Sequence, residues 1–356
     1  MLYGVIMAGG QGKRLWPVSR KQSPKQFIKI DIEGNNLLQQ TYIRLRKVVG
    51  TQNVCIVTLR EYTETVCEQI PDLGREKIFV EPAPRGTAAC VGYAVANLIK
   101  GDLKTCLIAM PADHKVEPEE ELTSTLLAGA KIAEKSNGMV VVGIKANRPC
   151  TELGYIRKGE QVDSVDGCKV YTVKRFHEKP GYDQAKKYVD SGDCLFNLGI
   201  FIVKGDVFMR QLQRYLPAHY QLFSRIIENR GQMQTTLEEE YQKLPSVSVD
   251  HGILEKSDDT LVVEGNFEWM DLGTWDAVFA GSRLEEHGNI IRGDFVGLDS
   301  RNIVAFAEGG IVAVVGVENL VVVHTPDATL VCDKRRVNDV RQLENLLRDK
   351  GLQKYL

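Results

Sequence analysis

The stretch VIMAGGQGKRLWP, residues 5–17, runs from a short apolar segment directly into three glycines. Glycines leave their backbone N–H groups open, and a loop of such groups can wrap phosphate oxygens. Arg14 in this stretch, and Lys25 in the segment PKQF that follows, add positive charge where a triphosphate would bind. The glycines alone fit an ordinary glycine-rich turn equally well, whereas the two added cations favour phosphate binding.

The spacing of these glycines differs from that of two common nucleotide-binding loops. A Walker A loop has a glycine where Met7 stands and a serine or threonine where Arg14 stands. The dinucleotide-binding fingerprint has its third glycine where Leu15 stands. Neither pattern therefore explains the stretch.

The first 140 residues alternate between short apolar runs typical of buried strands and amphipathic stretches typical of helices. Strands are predicted at residues 5–7, 54–59, 77–80, 105–110 and 139–144. Helices are predicted at residues 37–49, 61–70, 87–100 and 118–135. Further along, the pattern is less regular, with strands near 170–176 and 198–203 and helices near 182–191 and 206–213. The alternation predicts an α/β fold with a parallel sheet and helices on both of its faces.

The composition changes after Asn289. Short β-type runs separated by Gly, Asn and Asp occur at 290–291, 295–298, 303–306, 311–315, 320–324 and 329–331, and a helix is predicted at 337–350. A length of 356 residues suggests about two domains. We expect a catalytic domain at 1–285 and a small all-β domain, ending in a helix, at 286–356.

Charge and composition exclude several classes of protein. Lys and Arg total 45 against 47 Asp and Glu, so the chain lacks the basic surplus that non-specific polynucleotide binding needs. No apolar run approaches the roughly 20 residues that span a bilayer, and the first residues do not resemble a signal peptide. The eight cysteines are scattered, without zinc-type spacing, and are expected to be reduced thiols. We therefore expect a cytoplasmic protein that handles a small molecule.

Two aspartates are candidates for a metal site. Asp113 follows the apolar run of residues 105–110, so it is expected at the carboxyl edge of the sheet, where ligands of such folds bind. Carboxylates beside phosphates suit Mg²⁺. Asp271 lies between Trp269 and Trp275, in what is expected to be a pocket wall. Each residue has an alternative interpretation, since Asp113 fits a helix N-cap and Asp271 fits the cap of a helix near Trp275.

Polar residues near strand ends are candidates for binding a sugar phosphate. Glu178 and Lys179 would offer a carboxylate to hydroxyl groups and an ammonium to a phosphate. Asn197, in an apolar run, would hydrogen-bond a hydroxyl, and Gly154 would face a ligand with its backbone. Taken singly, Glu178 with Lys179 is better explained as a surface ion pair and Asn197 as a turn amide, and Gly154 also fits an ordinary loop.

Taken together and in order, these segments resemble the sugar-phosphate nucleotidylyltransferases, and among them the mannose-1-phosphate guanylyltransferases. The resemblance covers nearly the whole chain. The motifs that carry it are Gly9-Gly10-x-Gly12-x-Arg14-Leu15-Trp16-Pro17-x-Ser19-Arg20, Pro24-Lys25-Gln26-Phe27, Glu81-Pro82, Arg85-Gly86-Thr87-Ala88, Pro111-Ala112-Asp113-His114, Gly154-Tyr155, Phe176-x-Glu178-Lys179-Pro180, Asn197-x-Gly199-x-Phe201, Ser248-Val249-Asp250 and Trp269-x-Asp271-Leu272-Gly273.

The resemblance implies a role for each matching residue. The catalytic residues would be Arg14, Lys25 and Asp113. The nucleotide would be bound by Gly9, Gly10, Gly12, Arg14, Lys25, Glu81, Pro82, Arg85, Gly86, Thr87 and Ala88. The sugar phosphate would be bound by Gly154, Glu178, Lys179, Asn197 and Asp250, and the metal by Asp113 and Asp271.

The resemblance also implies the fold and the reaction. The fold would be a Rossmann-like nucleotidyltransferase domain with a mixed, mostly parallel sheet, followed by a small left-handed β-helix-like domain. The reaction would use Mg²⁺ to transfer GMP from GTP to α-D-mannose 1-phosphate, giving GDP-mannose and pyrophosphate. Exposed strand edges in the small β domain, which a second subunit would cover, lead us to expect a homodimer. The composition of the chain, given above, leads us to expect a cytoplasmic protein without nucleic-acid or membrane partners.

Two positions depart from the family pattern. Lys13 replaces a small hydroxyl residue, and Gly86 stands where the family often has Asn. Because an Asn side chain there would help to select the base, a second hypothesis is a nucleotidylyltransferase for another nucleotide or hexose 1-phosphate. A third is a catalytically silent regulatory subunit that binds a nucleotide-sugar.

Overall fold

The structure, a computed structural model, describes residues 1–10, 15–21, 23–28, 34–99, 102, 104–272, 275 and 286–356. The helices are α1 Leu37–Val49, α2 Thr63–Gln69, α3 Gly86–Leu98, α4 Glu119–Lys135, α5 Tyr182–Ser191, α6 Gly205–Tyr215, α7 Pro217–Glu228, α8 Met233–Glu240 and α9 Leu343–Asp349. The strands are β1 Leu2–Met7, β2 Val54–Leu59, β3 Ile78–Glu81, β4 Cys106–Pro111, β5 His114–Glu117, β6 Val140–Lys145, β7 Tyr155–Val165, β8 Cys168–His177, β9 Cys194–Lys204, β10 Leu261–Gly265, β11 Glu268–Asp271, β12 Ile290–Leu298, β13 Val304–Val315, β14 Leu320–Thr325 and β15 Ala328–Asp333.

The chain divides into two compact units. The larger unit comprises Met1–Gly9, Gln39–Ala112 and Val116–Trp269, and the smaller unit comprises Gly10–Leu38, Asp113–Lys115 and Met270–Leu356. The boundary expected between residues 285 and 286 falls beside residues 276–285, which lie outside the described part of the chain, and it stays a prediction.

A nine-stranded mixed sheet forms the centre of the larger unit, in the order β3-β2-β1-β4-β9-β6-β10-β8-β7. Strands β3, β2, β1 and β4 are parallel neighbours, as are β6 and β10. Strand β9 is antiparallel to both β4 and β6. Every residue of β2 is buried, which is expected for a parallel strand covered on both faces. The sheet brings the carboxyl ends of β1, β3 and β4 to one edge.

Most predicted elements of the larger unit form close to their predicted bounds. Helices α1 and α5 match them fully. Strands β5, β7, β10 and β11 and helices α7 and α8 are additional elements. Strand β7 has a largely exposed, polar second half at the edge of the sheet, so its sequence carries no apolar run. Strands β5 and β11 form a separate two-stranded sheet.

A four-stranded sheet in the order β12-β13-β14-β15 lies in the smaller unit. Strands β12, β13 and β14 are parallel, and β15 is antiparallel to β14. Six short runs were predicted here, and they merge into four strands. Gly293, with φ of 94°, lies at a register shift inside β12, so this glycine makes a bulge and not a turn. The helix predicted at 337–350 is a 3₁₀ segment, Lys334–Gln342, followed by α9.

Two further expectations concern the cysteines and the membrane. All eight cysteines fall in described residues and are free thiols, as predicted. Among the described helices, none combines the length and apolar character required to cross a bilayer.

Because α3 packs closely against α7, we predict that a side chain at Gly92 destabilises the fold. A Cβ added at Gly92 would overlap the buried ring of Phe223. We expect Gly92→Ala to lower the free energy of unfolding by about 1–3 kcal/mol, because the overlap outweighs the gain in helix propensity. Urea unfolding measures the change. Gly231→Ala, where an added methyl group meets open space, is the control. Equal stability of Gly92→Ala and the parent would contradict this packing.

Candidate active site

Lys25 lies at the centre of a charge cluster in the smaller unit. It begins a short 3₁₀ helix, Lys25–Phe27, and its side chain is only 5% exposed. The Nζ atom lies 2.8 Å from Oδ2 of Asp113 and 2.6 Å from Oδ1 of Asp271. Asp113 follows β4 and Asp271 ends β11. The structure therefore brings together one predicted cation and both predicted metal ligands.

The three charges of this cluster stabilise one another. Burial lowers the pKa of Lys25, but the carboxylates of Asp113 and Asp271 outweigh it and hold that pKa above its ordinary value. Burial raises the pKa of Asp113, but the charges of Lys25 and His114 outweigh burial and lower that pKa to about 2. Lys25 and Asp113 are therefore both charged at neutral pH.

The two carboxylates fit a divalent cation of the Mg²⁺ type. Both converge on the single ammonium of Lys25, so their oxygens already surround one cationic centre, and each side chain is about one-third exposed. Within the described part of the chain, no group of three or more His, Cys, Asp or Glu residues is arranged to hold a metal. Two carboxylates completed by phosphate and water oxygens are a typical Mg²⁺ arrangement.

The glycine-rich loop follows β1. The N–H of Ala8 donates to the carbonyl of Val57 at 2.8 Å, which fixes the start of the loop to β2. Gly9 lies against the carboxylate of Glu81, because a Cβ added at Gly9 would be 3.3 Å from its Oε2 atom. The candidate residues Gly12 and Arg14, together with Lys13, lie outside the described residues.

Glu81 is a buried carboxyl group at the end of β3. Its side chain accepts a hydrogen bond from the hydroxyl of Tyr241. Burial raises the pKa of Glu81 to about 7, although the hydrogen bond from Tyr241 lowers it in part. Glu81 therefore titrates near neutral pH. No motif marked Tyr241 in the sequence, because it lies 160 residues from its partner.

The turn at residues 85–88 is held by a second segment, residues 247–249. The N–H of Val247 donates to the carbonyl of Arg85, and the N–H of Ala88 donates to the carbonyl of Val247, both at 3.2 Å. The N–H of Val249 donates to the hydroxyl of Thr87 at 2.8 Å. Three hydrogen bonds thus fix the start of α3. Pro82, also a candidate, is half-buried just before this turn.

The conformation and surroundings of Gly86 favour glycine at this position. Its φ is 81°, and a Cβ at this position would overlap the carbonyl oxygen of Val247. An Asn side chain therefore does not fit here without a shift of the backbone.

Five predicted residues of the larger unit lie together in a second group. The N–H of Asn197 donates to the carbonyl of Gly154 at 2.8 Å, and its Nδ2 donates to Oδ1 of Asp250, also at 2.8 Å. A Cβ at Gly154 would overlap the carboxylate of Glu178. Lys179 pairs with Glu178 at 2.9 Å. We call these residues, Gly154, Glu178, Lys179, Asn197 and Asp250, the polar pocket.

The carboxyl group of Asp250 is perturbed within the polar pocket. Burial, followed by the negative charge of Glu178, raises the pKa of Asp250 to about 6. Asp250 begins a π-helix, Asp250–Leu254, an uncommon element often found at functional sites. Glu255, which the sequence did not mark, accepts a hydrogen bond from the N–H of Glu178 at 3.0 Å. This hydrogen bond from Glu178 to Glu255 helps to hold Glu178 in the polar pocket.

Comparison with known families and proteins gives matches along the whole chain. A family model described as nucleotidyl transferase matches residues 3–287, and one described as a MannoseP isomerase/GMP-like beta-helix domain matches residues 293–346. The alginate biosynthesis protein AlgA of Pseudomonas syringae is 34% identical over 98% of this chain and 72% of its own length. The mannose-1-phosphate guanylyltransferase of Escherichia coli K12 is 31% identical over 98% of this chain and 74% of its own length.

A solved structure agrees with these matches. It is a mannose-1-phosphate geranyltransferase from Thermus thermophilus, which is 33% identical, with a TM-score of 0.87. The match covers 98% of this chain and 99% of that one. The fold class predicted from the sequence is confirmed.

The raised pKa of Glu81 predicts a pH-dependent stability. The folded state favours the protonated carboxyl, so the stabilisation is present below pH 4.5 and is lost as the pH rises to about 7. The side chain in Glu81→Gln stays neutral at every pH. The free energy of unfolding of this variant should therefore fall by about 2–4 kcal/mol less than that of the parent between pH 4.5 and about 7. Denaturant unfolding at several pH values measures it. Glu76→Gln, an exposed site, is the control. A parallel fall in Glu81→Gln and the parent would refute the assignment.

Proposed function

The chain belongs to the nucleotidyl transferase family, and from this premise we propose that it transfers GMP from GTP to α-D-mannose 1-phosphate. The products are GDP-mannose and pyrophosphate. The observation that carries the proposal is the near full-length similarity, at 31–34% identity, to relatives that include mannose-1-phosphate guanylyltransferases. The family resemblance noted in the sequence is thereby confirmed.

The reaction needs positioning and charge neutralisation more than proton transfer. The phosphate of mannose 1-phosphate already carries an anionic oxygen, which attacks the α-phosphorus of GTP in line as pyrophosphate leaves. Lys25, held protonated by its two carboxylates, supplies positive charge for the phosphates. Arg14 is assigned the same role from its place in the motif. The glycines Gly9, Gly10 and Gly12 offer backbone N–H groups to the triphosphate.

Asp113 and Asp271 are the residues that would hold Mg²⁺. When bound, the ion supplies charge neutralisation for the phosphates. The exposure of both carboxylates leaves their oxygens accessible to a cation from solution. The proposal thus assigns the protein side of the metal site to two residues that are far apart in the sequence.

The polar pocket is assigned to mannose 1-phosphate. Asn197, Asp250 and Glu178 present amide and carboxyl oxygens suited to sugar hydroxyls. Gly154 lets the carboxylate of Glu178 lie close to its backbone because it lacks a side chain. Lys179 supplies a cation for the phosphate. Burial lowers the pKa of Lys179, but the hydrogen bond and charge of Glu178 outweigh it and hold that pKa above its ordinary value, so Lys179 stays charged.

The turn at residues 85–88, together with Glu81 and Pro82, is assigned to the base of the nucleotide. Gly86 offers no side chain for reading guanine, so selectivity for the base has to come from the surrounding groups.

The proposal also includes a cytoplasmic homodimer and the division into domains at 1–285 and 286–356.

A substrate matrix tests the reaction. We expect the purified chain with Mg²⁺ to form GDP-mannose and pyrophosphate fastest from GTP and mannose 1-phosphate. ATP, dTTP, UTP and CTP are tested against mannose 1-phosphate and glucose 1-phosphate in parallel, with product identified by mass spectrometry. Another donor or acceptor being preferred would support the second hypothesis instead, and no turnover with any pair would favour a silent subunit.

Removal of one carboxylate tests the metal site. Asp271→Asn and Asp113→Asn should lower kcat by about 100- to 1000-fold, the cost of losing a main electrostatic group. Mn²⁺ binding, measured by electron paramagnetic resonance without substrate, should weaken in both variants. Asp166→Asn, an exposed aspartate paired with Lys131, is the control. Normal Mn²⁺ affinity in both variants would exclude these residues as ligands, and circular dichroism verifies that they are folded.

A further inference from the structure

The segment Leu15–Arg20, between the glycine-rich loop and Lys25, is enclosed by residues from the far end of the chain. Leu15 is 1% exposed. It packs in an apolar cluster of the smaller unit with Trp275, Val304, Val321, Val323, Leu330, Val337 and Val340. The segment itself is a compact turn, since the N–H groups of Val18 and Ser19 both donate to the carbonyl of Leu15. Its position is therefore set by β13, β14, β15 and the 3₁₀ segment Lys334–Gln342.

Arg20 joins this segment to the turn between β14 and β15. Its Nη1 and Nη2 donate to the two carboxylate oxygens of Asp327, at 2.6 and 2.5 Å. Nη2 also donates to the hydroxyl of Thr325 at 3.3 Å, and Nε donates to the carbonyl of Pro17 at 2.8 Å. A bidentate arginine–carboxylate pair fixes orientation as well as distance. One guanidinium thus ties the segment to itself and to a residue 307 positions away.

Trp16 makes a second connection. Its indole N–H donates to the carbonyl of Tyr355 at 2.8 Å, and its own carbonyl accepts from the indole N–H of Trp275 at 3.4 Å. These bonds are independent of Arg20. The segment is therefore held at two points, and neither point involves a residue assigned to substrate or metal.

The location of the segment gives these contacts a consequence for the reaction. It directly follows residues 9–14, and Lys25 lies five residues beyond its end. Phosphoryl transfer depends on fixed positions of the groups that hold the phosphates, and small displacements are costly. Freedom in residues 15–20 would be transmitted along the chain to the elements on both sides.

We propose that Arg20, Asp327 and Trp16 are positioning residues, which fix the segment Leu15–Arg20 so that the glycine-rich loop and Lys25 bind the triphosphate. This inference rests on the proposed function. It assigns an indirect role in nucleotide binding to the turn between β14 and β15 and to the backbone of Tyr355. The polar pocket lies in the larger unit and shares none of these contacts.

Three variants test the proposal: Asp327→Ala, Arg20→Lys and Trp16→Phe. Each removes part of one connection and keeps the residues that meet substrate. We expect the KM for GTP to rise about 3- to 10-fold, the range expected for one lost hydrogen-bonded pair. The KM for mannose 1-phosphate should change less than about 2-fold. Glu318→Ala, which breaks the exposed pair with Arg301 in the same unit, is the matched control.

Hydrogen exchange of the peptide covering residues 15–28, followed by mass spectrometry, provides a readout independent of turnover. Exchange should be faster in the three variants and unchanged in Glu318→Ala. The proposal is overturned if exchange and the KM for GTP are unchanged, or if both KM values rise together. If the unmodified chain forms no nucleotide-sugar, the proposed function fails, while unchanged exchange in the variants would still refute the anchoring.

Discussion

The ammonium of Lys25, held between two carboxylates, is the interaction on which the candidate active site depends. Its partners lie 88 and 246 residues further along the chain, and they meet only because Asp113, which follows β4, and Asp271, which ends β11, lie beside the same short helix. A buried ammonium without counter-charges would be costly, and two carboxylates this close would repel each other without a cation between them. Each charge thus requires the other two, and the fold that unites them forms the cluster that we propose as the site for phosphate and a divalent cation.

The larger unit depends on a comparable constraint, because one segment supports two groups of candidate residues. Residues 247–249 fix the turn at 85–88 through three hydrogen bonds, and the next residue, Asp250, accepts a hydrogen bond from Asn197 of the polar pocket. The carbonyl of Val247 occupies the space that a side chain at residue 86 would need, and the φ of Gly86 is positive. Both features favour glycine at this position.

The sequence predicted the elements that carry strong local patterns. The apolar run of β2 and the amphipathic run of α1 were found with their bounds, and Asp113 was identified because a carboxylate follows an apolar strand. Contacts between segments that are distant in the sequence produce no local pattern, so the sequence did not predict them. The bond from Tyr241 to Glu81 and the support of Glu178 by Glu255 depend on the completed fold. The prediction of two separate strands at 290–291 and 295–298 was wrong, because Gly293 makes a bulge inside the single strand β12 and does not end a strand.

The hydrogen bond between Trp16 and the carbonyl of Tyr355 joins residues 339 positions apart. Translation proceeds from the N-terminus, so β1 and the loop after it leave the ribosome long before the residues that enclose the segment Leu15–Arg20. Strand β1 can pair with β2 and β4 early, because these partners are closer in sequence. The segment Leu15–Arg20, close to β1 in sequence, gains its contacts with Thr325, Asp327 and Tyr355 only after those residues have been made. A nascent chain that already contains the central sheet therefore still lacks the contacts that hold the segment Leu15–Arg20.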